Sequence, residues 1–596
     1  MLKGGRPVAT ALAELRRDAV AERIAARSLL NAFIRENVQL IKDPHALAFA
    51  AQEGGAVPFA LQLSDGSFVH GKIRYASLTG QHVYEDGWVL ERGGTLSRLP
   101  FDLLAETLVQ ELVQRLPTTM ATAERVTLKR IRCSLRQLRG HLEQRAADER
   151  IGRDVRRLDY VTSEQSVFAG HPFHPYPKCV EGMDESELHR FSPERGSSFA
   201  LHYFAVREAL LLEEWLTGEK DRSLPDATWA TFRRMVMERL GPGSESVYEP
   251  LPMHPWQAEH FMSRPWVVRA IRHGDVVPLG PIGPVVYPTS SVRTAWDPES
   301  GCGWKLPLET RITNLTRVNS AEQTIRTIHA GRLAVHLGQE LKRELPGLLP
   351  ETGYMGMAAS EEMEMIPSAT VLYRPMAFHA PATFVLASLL ESWPGEQTPK
   401  LAQAIAENVS GDVLSLPDMQ TWLERYLKLS MLPLLRVWER FGISFEAHAQ
   451  NSLLTLEKGW PSRFYVRDLE GMSVDRELAA KSGWIGAPLP EDSPLLYDAP
   501  DAWHRTLYYF FVNHIGSLIH ALALSHRRPE REGWDVVRRM LLELRHQAGD
   551  RLRPYVDGLL NEPSLPAKAN FMSCLAGKGD KPMYISINNP IWDGRS

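Results

Sequence analysis

Cysteine is scarce in these 596 residues, and Cys133, Cys179, Cys302 and Cys574 lie far apart with no CxxC pair. That spacing excludes a disulfide framework and suits reduced thiols in a cytosolic protein. Excess charge of one sign is missing too: the formal net charge is −4, so a chain that coats nucleic acid is excluded and local basic clusters must serve small anions. The N-terminus, MLKGGRPVATALAELRRDAV, lacks an apolar run, so no secretory signal is expected. Long uninterrupted apolar runs are also absent. The most membrane-like stretch, Leu507 to Leu524, contains Asn513, His514, Gly516 and His520, which predicts a buried helix and no membrane partner. There is no internal repeat, no low-complexity tract and no serine nucleophile elbow.

What is present is ordinary for a globular chain: 44% hydrophobic and 23% charged residues. The length predicts roughly two to four domains. Boundaries near 160 and 375 divide the chain into 1–160, 161–375 and 376–596. The first portion reads as a helix over 8–40, then strands over 57–100 with Asp-Gly hairpin signals in FALQL-SDG-SFVHGKIRY and HVYEDGWVLE, then helices at 101–115 and 121–147. No chemistry is evident there. In the middle portion helices are expected at 199–217, at 226–240 and from MHPWQAEH onward. Beyond 382 the chain reads as mainly helical, with strands at 443–456 and 463–468.

The most informative stretch is Pro288 to Asn319, where two strand-like runs flank the turn DPESGCG. On the second run Lys305, Glu309, Arg311 and Thr313 share one side at period two, and Leu306, Leu308, Thr310 and Ile312 the other. Pro307 predicts an edge strand or poor pairing on one side. Ser320 to Gln323 is a capping box that opens a helix running to about Leu341. Arg293 and Lys305, with Thr313, Asn314 and Arg317 between a strand end and a helix start, suit phosphate or carboxylate. A solvated, ordinarily charged hairpin face is the alternative.

GHPFHPYPK puts His171, His174 and Lys178 on a loop that three prolines keep from being helical. Zinc, with Cys179 as third ligand, lacks the usual paired spacing. A structural loop and a phosphate- or nucleotide-contacting loop remain. In FEAHAQNSLL a strand would put Glu446, His448 and Gln450 on one face, with Asn451 at its end, and RFYVRDLEG puts Asp468 just past a neighbouring strand. Asn and Asp at adjoining strand ends could hold Mg2+ through oxygen ligands. Otherwise His448 is a core histidine and Asp468 a turn residue. Arg505 and Tyr508, three apart, would share a helix face that either meets solvent or reads a carboxylate.

Together GHPFHPYPK, SSVRT, KLPLETRITNLTR, HAQN and RDLEG, in this order from about Ala169 to the C-terminus, resemble the IucA/IucC-type siderophore synthetases that work independently of the nonribosomal peptide machinery. The resemblance implies an α+β, multi-lobed cupped hand of thumb, fingers and palm, with mixed and antiparallel sheets and a mainly helical C-terminal portion. It implies a cytoplasmic homodimer that uses ATP and Mg2+ to adenylate a carboxylate of citrate, or of a related acid, before an amine or hydroxyl partner captures it. Carried over by residue, His171, Ser291, Arg293, Thr294, Lys305 and Gln450 would meet ATP. Thr313, Asn314, Arg317, His448, Arg505, Tyr508 and Lys568 would hold citrate. Glu446, Asn451 and Asp468 would sit near magnesium, and Lys305, Arg317 and His448 would be catalytic. One departure stands out: the family's K-x-R-x-G is here Lys178-Cys179-Val180-Glu181-Gly182, with Val180 in place of arginine.

Two other classes fit parts of the pattern. HAQNSLL followed by RDLEG is similar to the aminoglycoside-type phosphotransferases, but Gln450 stands where their catalytic base belongs. A non-enzymatic carboxylate- or ferric-siderophore-binding protein is the third reading. The charges favour the synthetase. Like charges about 4 Å apart cost about 4 kcal/mol at an effective dielectric of 20, and citrate and ATP are both polyanions, so fixed cations are needed.

Overall fold

The computed structural model describes residues 8–115, 121–150, 157–218, 224–358, 364–408, 416–578 and 582–594. Two long helices, Val8–Glu36 and Ala121–Arg150, pack together. Ala26, Leu29, Leu30 and Phe33 form the buried stripe of the first. Between them lies a five-stranded sheet of residues 57–99. The SDG turn closes a hairpin, as its sequence predicts. The EDG turn does not: Val83–Tyr84 and Trp88–Arg92 both pair with Phe68–Tyr75. The second hairpin instead closes at Gly93–Gly94, where both residues have positive φ.

The helix expected at 199–217 is two strands, Phe199–Arg207 and Leu211–Trp215. Phe199–Arg207 pairs on both sides, with Tyr248–Met253 and Val276–Pro288, and this pairing overrides the local helical preference of its Ala and Leu residues. Both belong to an eight-stranded sheet that also holds the DPESGCG hairpin, Thr294–Asp297 and Cys302–Lys305. Cys302–Lys305 is an interior strand, paired to Met365–Pro375 on its other side, while Leu308–Ile312 has one strand partner, so the edge expectation fails before Pro307 and holds after it. Pro307 acts one step later. The chain leaves the sheet there and Leu308–Ile312 starts a separate ribbon with Leu315–Arg317. The capping box at Ser320 opens Ala321–Glu344 as expected.

The strand expected over 443–456 is broken. Ile443–Ser444 and Ser452–Glu457 are strands, and 445–451 turns between them, so Glu446, His448 and Gln450 share no strand face. Ser452–Glu457 and Trp460–Arg467 are antiparallel, which sets Asn451 and Asp468 at the same end. The apolar stretch at 507–524 is interior to Ala499–His526; 83% of its most apolar window is buried. From Thr506 to Ile515 this helix widens to π geometry. One hydrophobic core runs through the N-terminal helices and sheet and on into the C-terminal helices. A second core lies on the eight-stranded sheet.

Candidate active site

A cavity of about 1600 Å3 lies where these sheets and helices meet. All sixteen residues expected at the site line it: the hairpin group Ser291, Arg293, Thr294 and Lys305; the ribbon group Thr313, Asn314 and Arg317; His171; Glu446, His448, Gln450, Asn451 and Asp468; and Arg505, Tyr508 and Lys568. Their bonding, however, differs sharply from one end to the other.

At the hairpin end the charges are already paired. The Lys305 side chain is 2% exposed, and its Nζ donates to Asp468 Oδ1 at 2.6 Å and to Glu470 Oε2 at 2.8 Å. Burial alone would lower its pKa, but the two carboxylates outweigh burial and raise it. The same pairing works in reverse on Asp468: burial opposes its charge, yet Lys305 and Arg374 hold it far below the usual carboxylate range. Arg374, 3.7 Å from Asp468, also pairs with the fully buried Glu351. Arg293 donates to Asn319 Oδ1 at 2.7 Å and to the Val318 carbonyl at 3.1 Å. Asn319 in turn donates to the Lys305 and Thr370 carbonyls. Ser291 Oγ accepts the Thr294 N–H at 3.1 Å across a turn in which Val292 has φ of 68°. Gln450 reaches the neighbouring Ser290 at 3.4 Å. The helix start at Ser320 also lines the cavity, and there Gln323 donates to Glu470 at 3.0 Å.

At the other end Arg317 stands without a carboxylate partner among the described residues, whereas Arg505 is paired. Arg317 donates only to Thr313 Oγ1 and the Ile312 carbonyl, both at 3.3 Å, and its Nε is buried with no partner. Burial, and then Arg293, bring its pKa down to about 10. Thr313, at φ of 57°, turns the ribbon beside it. Lys568 Nζ bonds the Tyr509 hydroxyl at 2.6 Å, and burial lowers its pKa. Burial also lowers His448 and His171, so both imidazoles are neutral near pH 7. Arg505 is held by Glu446 at 2.5 Å and by the Tyr497 hydroxyl at 3.2 Å. The carboxylate of Glu446 fits against the backbone because residue 471 is glycine; a Cβ there would collide with it. The three-residue helical spacing of Arg505 and Tyr508 is lost in the π-helical stretch. Tyr508 is 1% exposed, and the phenol beside Arg505 is Tyr497.

Several contributors escaped sequence reasoning. Glu470 lies inside RDLEG and was visible there as a carboxylate two residues beyond Asp468. Glu351, Arg374 and Asn319 gave no signal, since only tertiary packing brings them in. Lys178, from the K-x-R-x-G position, is taken up by Glu194 and the Val167 carbonyl. Val180 bridges to Ile312, and Gln137 holds its backbone N–H and carbonyl.

Fold and cavity together define an α+β chain with a large site lined by several arginines and lysines. It belongs to the IucA/IucC family, whose profile matches residues 159–391. A second profile, described as a ferric iron reductase FhuF-like transporter, matches residues 420–583. The L-2,3-diaminopropanoate–citrate ligase of Staphylococcus aureus is 31% identical, covering 89% of this chain and 91% of that one. The rhizobactin siderophore biosynthesis protein RhbC of Rhizobium meliloti is 28% identical, over 96% and 98% of the two chains. The fold is that of ATP-bound aerobactin synthetase IucA from Klebsiella pneumoniae, at a TM-score of 0.81 and 23% identity, covering 96% of this chain and 99% of that one.

Proposed function

We propose that this chain is an ATP-dependent siderophore synthetase. It activates a carboxylate of citrate, or of a citrate derivative, as an acyl adenylate and transfers the acyl group to an amine or hydroxyl partner, releasing AMP and pyrophosphate. Family membership and the citrate ligase among its relatives support the substrate class. The observation that carries the chemistry is Arg317, a half-buried guanidinium with no carboxylate partner among the described residues, in the cavity that Arg293 and Lys305 also line. That uncompensated charge suits a polyanionic ligand pair.

In this reading the Ser290–Thr294 turn and Arg293 receive ATP phosphates, with His171 and Gln450 beside the nucleotide. A citrate carboxylate oxygen attacks the α-phosphorus. The acyl–phosphate bond forms, the α–β phosphate bond breaks and pyrophosphate leaves. Arg317 and Lys305 stabilise charge building on the phosphoryl oxygens, a preorganised electrostatic effect. The partner amine then attacks the acyl carbon, AMP departs with the bonding pair, and the amine gives up a proton, for which neutral His448 is a suitable acceptor. Arg505, Tyr508 and Lys568 hold the acid, with Thr313 and Asn314 at the junction.

Glu446, Asn451 and Asp468 fit Mg2+ by chemistry: all offer hard oxygen donors, and Asp468 is kept ionised. The ion would offset phosphate charge. Cytoplasmic action, a homodimer and the three-lobed division at about 160 and 375 belong to the same proposal.

The test is incubation with ATP, Mg2+, hydroxylamine and a panel of carboxylic acids. AMP, pyrophosphate and citryl hydroxamate are expected. ADP as the product, or tight citrate binding without turnover, overturns the proposal.

A further inference from the structure

One buried ion pair joins the two turns of the cavity wall that the synthetase reading gives to the nucleotide. Glu164 ends the short helix Tyr160–Glu164 and Arg467 ends the strand Trp460–Arg467; their side chains are 1% and 5% exposed. One carboxylate oxygen of Glu164 accepts from Arg467 Nη1. The other accepts both the backbone N–H and the hydroxyl of Ser290, at 3.0 and 2.8 Å, where the Ser290–Thr294 turn begins. Arg467 Nη2 donates to the Gln450 carbonyl at 2.8 Å, and the Gln450 side-chain amide reaches Ser290 Oγ at 3.4 Å. These bonds close a ring that runs from Glu164 through Ser290, Gln450 and Arg467 back to Glu164. Arg467 Nη1 also donates to the Tyr160 hydroxyl at 2.9 Å, and the Tyr160 ring packs edge-on against Trp296 and Phe378. Ser290, Gln450 and Arg467 line the cavity, whereas Glu164 is not among its lining residues.

A buried ion pair is a poor source of stability, because apolar side chains of similar volume often serve as well or better. What the charges supply is direction. Bonds to ionised groups are shorter and stronger than neutral ones, and a carboxylate with both oxygens committed cannot turn without breaking several at once. Burial opposes the charge of Glu164, yet Arg467 and the Ser290 donors hold its carboxyl below the usual range. Nothing local sets the distance between the two turns, since Ser290 and Gln450 are 160 residues apart in the chain. A displacement of about 1 Å at a reacting group can cost on the order of 10²-fold in rate.

We propose that Glu164 and Arg467 are positioning residues for the nucleotide: their ring of bonds fixes the Ser290–Thr294 turn and the 445–451 turn at one separation. The inference rests on the synthetase reading, which puts ATP at those two turns.

Glu164→Gln keeps the shape of the side chain, removes its charge and leaves one acceptor oxygen where there were two. Wild type and variant are compared for ATP affinity, by calorimetric titration with ATP and Mg2+, and for ATP and citrate KM, by hydroxamate formation. ATP affinity should fall about tenfold while citrate KM stays within twofold. A loss of ATP affinity under threefold, or a citrate KM that rises as much as the ATP KM, overturns the inference. Glu164→Leu combined with Arg467→Met removes both charges and strands neither, so it replaces a purely structural pair without harm. ATP affinity should stay at least threefold down in that double variant, and its return to within threefold of wild type also overturns the inference. Should Glu164→Gln not fold, Ser290→Ala carries the comparison, because it removes two hydroxyl contacts of the ring and leaves the ion pair intact. There a selective loss of ATP affinity of twofold or more supports the ring, and a smaller one overturns it. If wild type forms no hydroxamate with any acid, the adenylation reading fails separately and the ATP titration still decides the ring. If wild type binds no ATP, both fail.

Discussion

The two ends of the cavity solve the problem of buried charge in opposite ways. At the hairpin end Lys305 and Arg374 are paired with Asp468, Glu470 and Glu351 without any ligand. At the ribbon end Arg317 has no carboxylate partner among the described residues, and its Nε is buried without a partner. A prepaired network holds its own geometry and must exchange partners when a ligand arrives. An unpaired cation costs stability until an anion arrives, so its placement reports the ligand. The difference implies that the same substitution, a cation removed, has different consequences at the two ends.

The largest effect is expected at the prepaired end. Lys305→Ala should lower turnover by roughly 10²-fold or more, the scale of losing one preorganised electrostatic donor. It should also destabilise the fold by about 1–3 kcal/mol, because the half-buried Asp468 and Glu470 lose their nearest cation while Arg374 stays 3.7 Å from Asp468. Arg293→Ala should match the loss of turnover. Near-normal AMP release by both, in folded protein, would remove the hairpin from the chemistry.

At the unpaired end Arg317→Ala should depress kcat by roughly 10²-fold while shifting either KM little, since the guanidinium acts on charge that develops during reaction. Unlike Lys305→Ala, it should leave the melting temperature unchanged or raised, since it strands no carboxylate. A melting temperature that falls as far as for Lys305→Ala would erase the contrast between the ends.

Which parts of this were legible beforehand follows from where the information resides. The hairpin, the capping box and the cationic side chains are local features, and local residues state them. The first hairpin closed where Asp-Gly predicts, whereas the second closed at Gly93–Gly94, because Val83–Tyr84 found its partner in Phe68–Tyr75 rather than next door. Residues 199–217 read as helix from Leu, Ala and Glu, and only the neighbouring strands make them sheet. Pairing partners were not legible at all. No spacing rule brings Glu351 to Arg374, or Glu36 from the first helix to the backbone of Phe571 and Met572 near the C-terminal end.

Asp468→Asn tests the exchange of partners. An amide is a poorer hard-cation ligand than a carboxylate, so the Mg2+ activation curve should move to higher concentration by roughly tenfold, about 1.4 kcal/mol. The variant also loses the charge that faces Lys305, so its melting temperature should fall too. A lower melting temperature with an unmoved Mg2+ curve would make Asp468 a partner of Lys305 alone. Arg505→Lys belongs at a similar scale. It should raise citrate KM roughly tenfold and spare ATP, since lysine cannot copy the fork that guanidinium offers a carboxylate. Lost ATP affinity with citrate KM intact would detach Arg505 from the acid.

Acid sharpens the comparison with the smallest effect. In the native state Asp468, Glu470 and Glu194 are held below their usual carboxylate range by their cations, against the pull of burial, so mild acid leaves the paired end ionised. Histidines respond instead. Burial lowers His82, His174, His254 and His514 to about 3, far under the ordinary value near 6.5. The neutral form is therefore favoured by folding. Above pH 6.5 neither state binds these protons and nothing is lost. As pH falls from about 6.5 toward 3 the unfolded chain takes them up while the native chain does not, so stability declines through that window. At pH 5 unfolding should bind about one proton for each of these four histidines, a quantity that titration at constant pH reads directly. His514→Gln, which removes an imidazole hydrogen-bonded to Tyr426 at 2.6 Å, should lower that uptake by about one proton. An unchanged uptake would mean that His514 is protonated inside the fold, and the acid sensitivity would then belong to the ion pairs of the hairpin end.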